Sequence, residues 1–370
     1  MKNKSALILF LGNINYDSRC MNLYKSLKDR GYDVKVVAFD WLTEGFVSLK
    51  DDISIYKLRK KNLSLTFYLK FSAVLTYRLM FSRYSICFAE DIYTLPFACI
   101  VNVFKRGKII YDSRELFGYL AGLTGRKIIQ RILRLIEKTF IKRVSQVVVT
   151  GEMDAEFIKD EYGINNIIVV RNLPLYKKID TAFDFRGKYG IDKKKKILIY
   201  QGMIHHGRGL KIIFDQLKDT DYYVLIILGH GDNYEFYKNL SVKLDVDKKV
   251  IFAGKVGQED LLNYTAGADA GISLIENISL SYYYALPNKL FEYIAAGIPV
   301  IASNLPQMKK VVEEYKVGIV VDPSDAASLS AELRKFYEDE AMYDEYKKNC
   351  AKAAGELNWQ KEVENLFSKI

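Results

Sequence analysis

Cysteine is scarce in this sequence: four among 370 residues (Cys20, Cys87, Cys99 and Cys350), scattered and without a CxxC pair. Neither a disulfide framework nor a thiolate zinc site can be read from them, and that usage fits a reducing, cytoplasmic setting. Histidine is scarcer still. The adjacent His205 and His206 point in different directions and His230 stands alone, so no metal centre is expected. No apolar run approaches the roughly 18 residues of a membrane-crossing helix. Met1 to Phe10 opens with positive charge, but its apolar run is short and stops at Gly12-Asn13 without a small-residue cleavage site. It reads as a first strand, not a signal peptide. No GxGxxG follows it and no acid stands at the usual ribose position, which argues against a dinucleotide oxidoreductase. GxxxxGKS/T is absent, which excludes a P-loop.

Acidic residues are also in deficit, 45 against 55 Lys and Arg, for a net charge of +10. That balance suits an anionic partner such as a nucleotide, a lipid phosphate, a membrane surface or nucleic acid, although basic surfaces also simply keep proteins soluble. Apolar residues make up 49% and charged residues 27%, the composition of a globular protein, and the length calls for two domains. Short runs rich in Ile, Val and Tyr alternate with stretches of helical period. Strands are expected over 6–11, 34–39, 53–58, 86–89, 108–111, 147–150 and 167–170. They resume over 197–201, 223–228, 250–253, 271–274, 299–302 and 318–321. Such alternation is the signature of βαβ units around parallel sheets. From Asn172 to Lys196 the apolar periodicity lapses, and the segment holds Pro174, Gly187, Gly190 and a run of lysines. The expected fold is therefore α/β, with two doubly wound Rossmann-like domains, 1–173 and 174–355, facing across a cleft. Ligands of such sheets bind beyond the carboxyl ends of the strands.

Gly12-Asn13 follows the first strand, and a glycine there lets backbone N–H groups approach a ligand. By itself this is a weak signal. The second half says more. The strand ending at Gln201 runs into Gly202 and a glycine-rich loop through Gly207-Arg208-Gly209, then into a helix. Arg208 at that helix start would meet a phosphate together with the helix dipole; the bland reading is an exposed Arg in a loop. Pro287-Asn288-Lys289-Leu290-Phe291-Glu292 opens another helix. Asn288 can cap it, leaving the N–H groups of Lys289 and Leu290 as an anion site. Glu292 lies about one turn further in, where a ribose would extend from a bound pyrophosphate, and a carboxylate can accept from both ribose hydroxyls. Gly297 ends the helix and Pro299 opens the next strand. Read as structure alone, this is a well-capped helix.

The residue order of these stretches resembles the family 4 glycosyltransferases of the GT-B fold, over nearly the whole chain. Asp17-Ser18-Arg19, Tyr111-Asp112-Ser113-Arg114-Glu115, Tyr200-Gln201-Gly202 through Leu210, Gly229-His230-Gly231, Pro287 through Val300 and Asn358-Trp359 carry the likeness. The resemblance implies a retaining, metal-independent transfer from a UDP- or GDP-sugar without a cofactor. The second domain would bind the donor and the first the acceptor, and a C-terminal helix over 356–370 would return to the first domain. Arg208 would bind the pyrophosphate, Glu292 the ribose, and the Gly12 loop would approach from the other domain. Gly202, Lys211, Gly229, Val256, Tyr284, Asn288, Lys289 and Leu290 would complete the donor site. Two positions depart from the pattern. Tyr284 stands eight residues before Glu292, where the family often has a first glutamate, and Met203 stands where many members have Arg. Asp112, Arg114 and Glu115 follow a first-domain strand and are expected on the acceptor side; a local salt-bridged turn is the alternative.

From Arg126 to Val144, Lys127, Arg131, Arg134, Lys138 and Lys142 fall on one helical face, opposite Ile129, Ile132, Leu133, Ile136 and Phe140. The face is either a solvated back or, with the aromatic and basic stretch from Phe67 to Tyr84, a contact for anionic lipid at the inner face of the plasma membrane. The second option suits a lipid-linked acceptor in building a surface polysaccharide or glycolipid. No nucleic-acid recognition motif accompanies the charge. Two other functions fit the same fold: a nucleotide-sugar epimerase and a non-catalytic nucleotide-sugar-binding subunit.

Overall fold

Thirteen strands form among the residues described by this computed structural model, 4–40, 52–58 and 65–370. The first three residues of the charged opening stretch lie outside them. Seven strands share one sheet: β1 (Ser5–Phe10), β2 (Asp33–Asp40), β3 (Ile53–Lys57), β4 (Ile86–Ala89), β5 (Lys108–Ser113), β6 (Gln146–Val149) and β7 (Ile167–Val169), in the order β3-β2-β1-β4-β5-β6-β7. Six share the other: β8 (Lys196–Gln201), β9 (Tyr223–Leu228), β10 (Val250–Gly254), β11 (Ala270–Ser273), β12 (Val300–Ser303) and β13 (Gly318–Val321), in the order β10-β9-β8-β11-β12-β13. The second order is that of a doubly wound Rossmann sheet, and the first is the same order with one strand added. All pairings are parallel. Parallel neighbours need helical crossovers, which cover both faces, so the strands are apolar throughout. All six residues of β9 are buried.

The chain divides into two compact units, Met1–Arg171 with Val363–Ile370, and Asn172–Glu362. In the second, alternate residues of each strand feed two cores. Ile197 and Ile199 face the helix Asn288–Ala295, while Leu198 and Tyr200 face the helix Leu210–Lys218. The carboxyl end of β8 therefore lies between these helices. In the first unit, the helices Leu65–Phe81, Leu95–Lys105 and Lys127–Phe140 pack side by side. Right-handed crossovers that step from β3 to β6 place them on one face of the sheet.

The last of these helices differs from its expected two-faced pattern. Arg134 turns inward and donates to Tyr119 Oη at 3.0 Å, while Ile132, assigned to the apolar core face, is half exposed. Glu137 is buried and accepts from Tyr111 and Tyr162, each at 2.7 Å. Two phenol donors and burial together remove the helix's one acid from the surface, and burial raises its carboxyl above the ordinary range.

Candidate active site

The loop after β8 follows a path that excludes side chains. Gly209 has φ +74°, and a Cβ there would lie 2.2 Å from the Leu274 carbonyl oxygen. Gly229, after β9, would set a Cβ 1.9 Å from the Gly202 carbonyl oxygen. The two loops are laced together, with Ile204 N donating to His230 O at 3.1 Å. Gly202 itself, at φ +115°, would meet nothing with a Cβ, so the backbone there borders open space. Arg208 follows, its guanidinium 4.6 Å from the Tyr282 ring centroid.

Glu292 comes to the same strand end from the other side. Gln201, the last residue of β8, donates through Nε2 to Glu292 Oε2 at 2.5 Å. Thr265 Oγ1 donates to Gln201 Oε1 at 2.8 Å, which orients the amide so that its NH2 faces the carboxylate. Tyr293 Oη accepts from Gln201 N at 3.2 Å and donates to Ile272 O at 3.1 Å, anchoring the helix to β8 and β11. Glu292 is thus held by one oxygen. Burial raises its carboxyl, against the pull of the Gln201 amide and of Lys289. Lys289 is buried with Nζ 3.8 Å from the centroid of the Tyr200 ring. Burial pushes its ammonium well below the ordinary range, and the charge of Arg208 pushes the same way. Neither Lys289 nor Arg208 makes an ion pair or a hydrogen bond among the described residues, and the one carboxylate whose charge acts on Lys289 is Glu292. Two basic groups beside a single carboxylate leave the site short of negative charge, which a bound anion would supply.

Several expectations change in detail. Asn288 is not the helix cap. Pro287 occupies that position in an extended conformation (φ −76°, ψ 145°) and makes no side-chain bond, so Asn288 is the first helical residue. Leu290 N is spent on Pro287 O at 3.1 Å, which leaves the N–H groups of Asn288 and Lys289 as the free donors of that turn. Lys211 pairs with Asp215 at 2.6 Å along its own helix. Tyr284 closes the short helix Leu280–Tyr283, and its carbonyl accepts from Gln307 at 2.5 Å. Val256 is partly buried beyond β10.

In the first unit the residues after the strands are tied to one another. Asp112 is buried in a two-bond fork with Arg19, Nε to Oδ2 at 2.6 Å and Nη2 to Oδ1 at 3.0 Å. Arg114 pairs with Asp17 at 2.6 Å and with the fully buried Glu90, and its guanidinium lies 4.8 Å from the Phe10 ring centroid. Glu115 is exposed. The Gly12-Asn13 loop is pinned by Leu11 N to Asp91 at 2.7 Å and by Asn13 Nδ2 to Asp40 at 2.9 Å. Glu90 was not singled out from the sequence, and Asp17 and Gln201 entered only within motifs that carry the likeness, without a role of their own. Their place at the carboxyl ends of strands, or just after them, was the available signal.

Residues 180–354 match the family described as "Glycosyl transferases group 1". The chain is 22% identical over 409 aligned residues, 99% of its length and 88% of the relative's, to the chitobiosyldiphosphodolichol beta-mannosyltransferase of Candida albicans. It is 20% identical over 257 residues to the alpha-monoglucosyldiacylglycerol synthase of Streptococcus pneumoniae, covering 64% of this chain. It spans 57% of that synthase and 58% of an uncharacterized glycosyltransferase of Methanocaldococcus jannaschii. Among solved structures, the sucrose-phosphate synthase of Thermosynechococcus elongatus superposes with a TM-score of 0.81 at 14% identity, covering 99% of this chain and 98% of that one. The Anabaena protein HepE, solved in complex with UDP-glucose, gives 0.73 at 16%, covering 98% and 99%. The fold is that of the GT-B glycosyltransferases. Over residues 180–354 the chain is similar to the group 1 glycosyltransferases.

Proposed function

We propose that the chain transfers a sugar from a UDP- or GDP-sugar to a glycan or lipid-linked acceptor, with retention of the anomeric configuration and without a divalent metal. The observation that carries this reading is the pair of unpaired cations, Arg208 and Lys289, at the end of β8 beside a glutamate with a carboxylate oxygen to spare. A diphosphate supplies the missing negative charge, and the free N–H groups of Asn288 and Lys289 add donors to it. Its ribose finds in Glu292 an acceptor for its hydroxyls. In the transfer, the bond from the anomeric carbon to the diphosphate oxygen breaks as the bond to the acceptor oxygen forms. The departing diphosphate takes the acceptor's proton. The protein's part is electrostatic: cations and N–H groups already in place where charge accumulates on the leaving group. A lipid-linked acceptor is supported by the names of the two relatives above, both of which refer to lipid-borne sugars.

Calorimetry with UDP and with GDP should show binding of at least one of them, unchanged by EDTA. Loss of that binding in EDTA would overturn the metal-independent reading. One relative is named a beta-mannosyltransferase, so the anomer formed from an α-linked donor, read by proton NMR on the product, tests retention separately.

A further inference from the structure

The three side-by-side helices of the first unit carry a surface that its fold does not use. The helix Leu65–Phe81 buries Phe67, Phe71, Leu75 and Leu79, a single stripe at four-residue spacing. Its exposed side is nevertheless largely apolar, with Leu69 and Phe81 exposed beside Lys70. Apolar side chains on a helix are ordinarily turned to a core. The neighbouring helix Leu95–Lys105 exposes Val103 and Phe104, the latter 80% accessible, and Lys127–Phe140 exposes Ile128 and Leu135. Scattered single apolar residues need no explanation, but a run of them across three adjacent helices does. The charge on these helices and the residues just beyond their ends is nearly all of one sign. Residues 65–84, 95–108 and 126–143 hold thirteen Lys and Arg and a single acid, Glu137, which is buried.

We propose that this three-helix face docks on an anionic lipid surface, with Leu69, Phe81, Val103, Phe104, Ile128 and Leu135 entering the acyl boundary and the cations meeting the headgroup phosphates. The proposal rests on the lipid-linked acceptor above for its purpose, and on the apolar face for its geometry. Charge decides between occupants. A second copy of the same face would set cation against cation with no acid to pair them, which like-charge repulsion opposes. Nucleic acid would satisfy the cations and leave the apolar side chains in water. An anionic bilayer satisfies both, the pattern of an interfacial amphipathic surface. The face is more than an electrostatic patch, because apolar contact persists at salt concentrations that screen charge.

The full-length Phe104→Trp protein, mixed with vesicles of phosphatidylcholine and phosphatidylglycerol, should show blue-shifted emission that brominated acyl chains quench. Phe81→Ser, Phe104→Ser and Leu135→Ser combined, with every cation intact, should lower partitioning at least about tenfold. All three side chains are exposed, so folding and UDP affinity should stay at wild-type values. Vesicle sedimentation without quenching, or a triple variant that partitions like wild type, would reduce the face to headgroup electrostatics and overturn the proposal. So would a wild-type dimer that the triple variant dissolves while vesicle binding is unchanged. A protein that inserts but binds neither UDP nor GDP would instead sink the donor reading and leave the docking face standing.

Discussion

Arg19→Met should destabilise the first unit by about 3–5 kcal/mol, the usual result of removing one partner of a buried ion pair. Asp112 is 4% exposed and both its oxygens are engaged by Arg19, which also donates to Val170 O at 2.8 Å. Methionine fills the space but satisfies neither oxygen. The nearest other cation atom to Asp112 is Arg114 Nε at 3.7 Å, and Arg114 is already committed to Asp17 and Glu90. Arg19→Met with Asp112→Leu should recover most of the loss, since two apolar groups of similar volume leave no orphan charge. Urea unfolding followed through the first unit's own transition is the measurement, because two units need not melt together. Equal losses in the single and double variants would show that Arg19 matters for packing alone. The network also carries a pH signature. Three carboxylates share two guanidiniums, and burial holds Glu90 up to about 7 from its ordinary 4.5, against the pull of Arg114. Its folded state binds the proton more tightly than the unfolded chain does. The stability this group adds is therefore present below its ordinary value and lost as pH rises through about 7. Glu90→Gln should flatten that slope.

Strands were the legible part of this chain. Each of the thirteen apolar runs holds one, within a residue or two at the ends, because a parallel strand covered on both faces has to be apolar along its length. The glycine-rich turns were legible for a related reason: Gly209 and Gly229 stand where backbone oxygens leave no room for a Cβ. The helix at 288 was placed by residue order but its cap was not, since extended Pro287 already fills the position that Asn288 was expected to take. Partnerships were beyond reach. Gln201 meets Glu292 across 91 residues and Arg19 meets Asp112 across 93, and no local period records such a pairing. The basic helix shows the same limit. Its period marks two faces, yet only the neighbouring helices decide that Arg134 turns inward while Ile128 and Leu135 stay uncovered.

Glu292→Gln should weaken UDP or GDP binding by about ten- to a hundredfold, the equivalent of roughly 1.5–3 kcal/mol for hydrogen bonds to a charged group. The geometry says why so small a change matters. Gln201 Nε2, fixed by Thr265, needs an acceptor at residue 292, and a glutamine there can satisfy it only with its carbonyl oxygen. Its NH2 is then left facing the ribose, a donor where an acceptor is wanted. Folding should change little, because the Gln201 bond survives and Gln is nearly as good a helix former as Glu. The wild-type carboxyl is raised by burial, so nucleotide affinity should fall on acidification as that group takes up its proton, and the variant should lose this dependence. A nucleotide without ribose hydroxyls completes a cycle of four calorimetric titrations. It should bind wild type poorly and lose little more on the variant, since both changes remove the same bonds. Lys289→Met belongs beside these as a contrast. It removes a buried ammonium that makes no hydrogen bond or ion pair and lies only against the Tyr200 ring, so it should raise the melting temperature of the nucleotide-free protein while weakening diphosphate binding. If the losses from Glu292→Gln and from removing the hydroxyls simply added, Glu292 would be serving Gln201 and the helix alone, and the ribose would have to be held elsewhere.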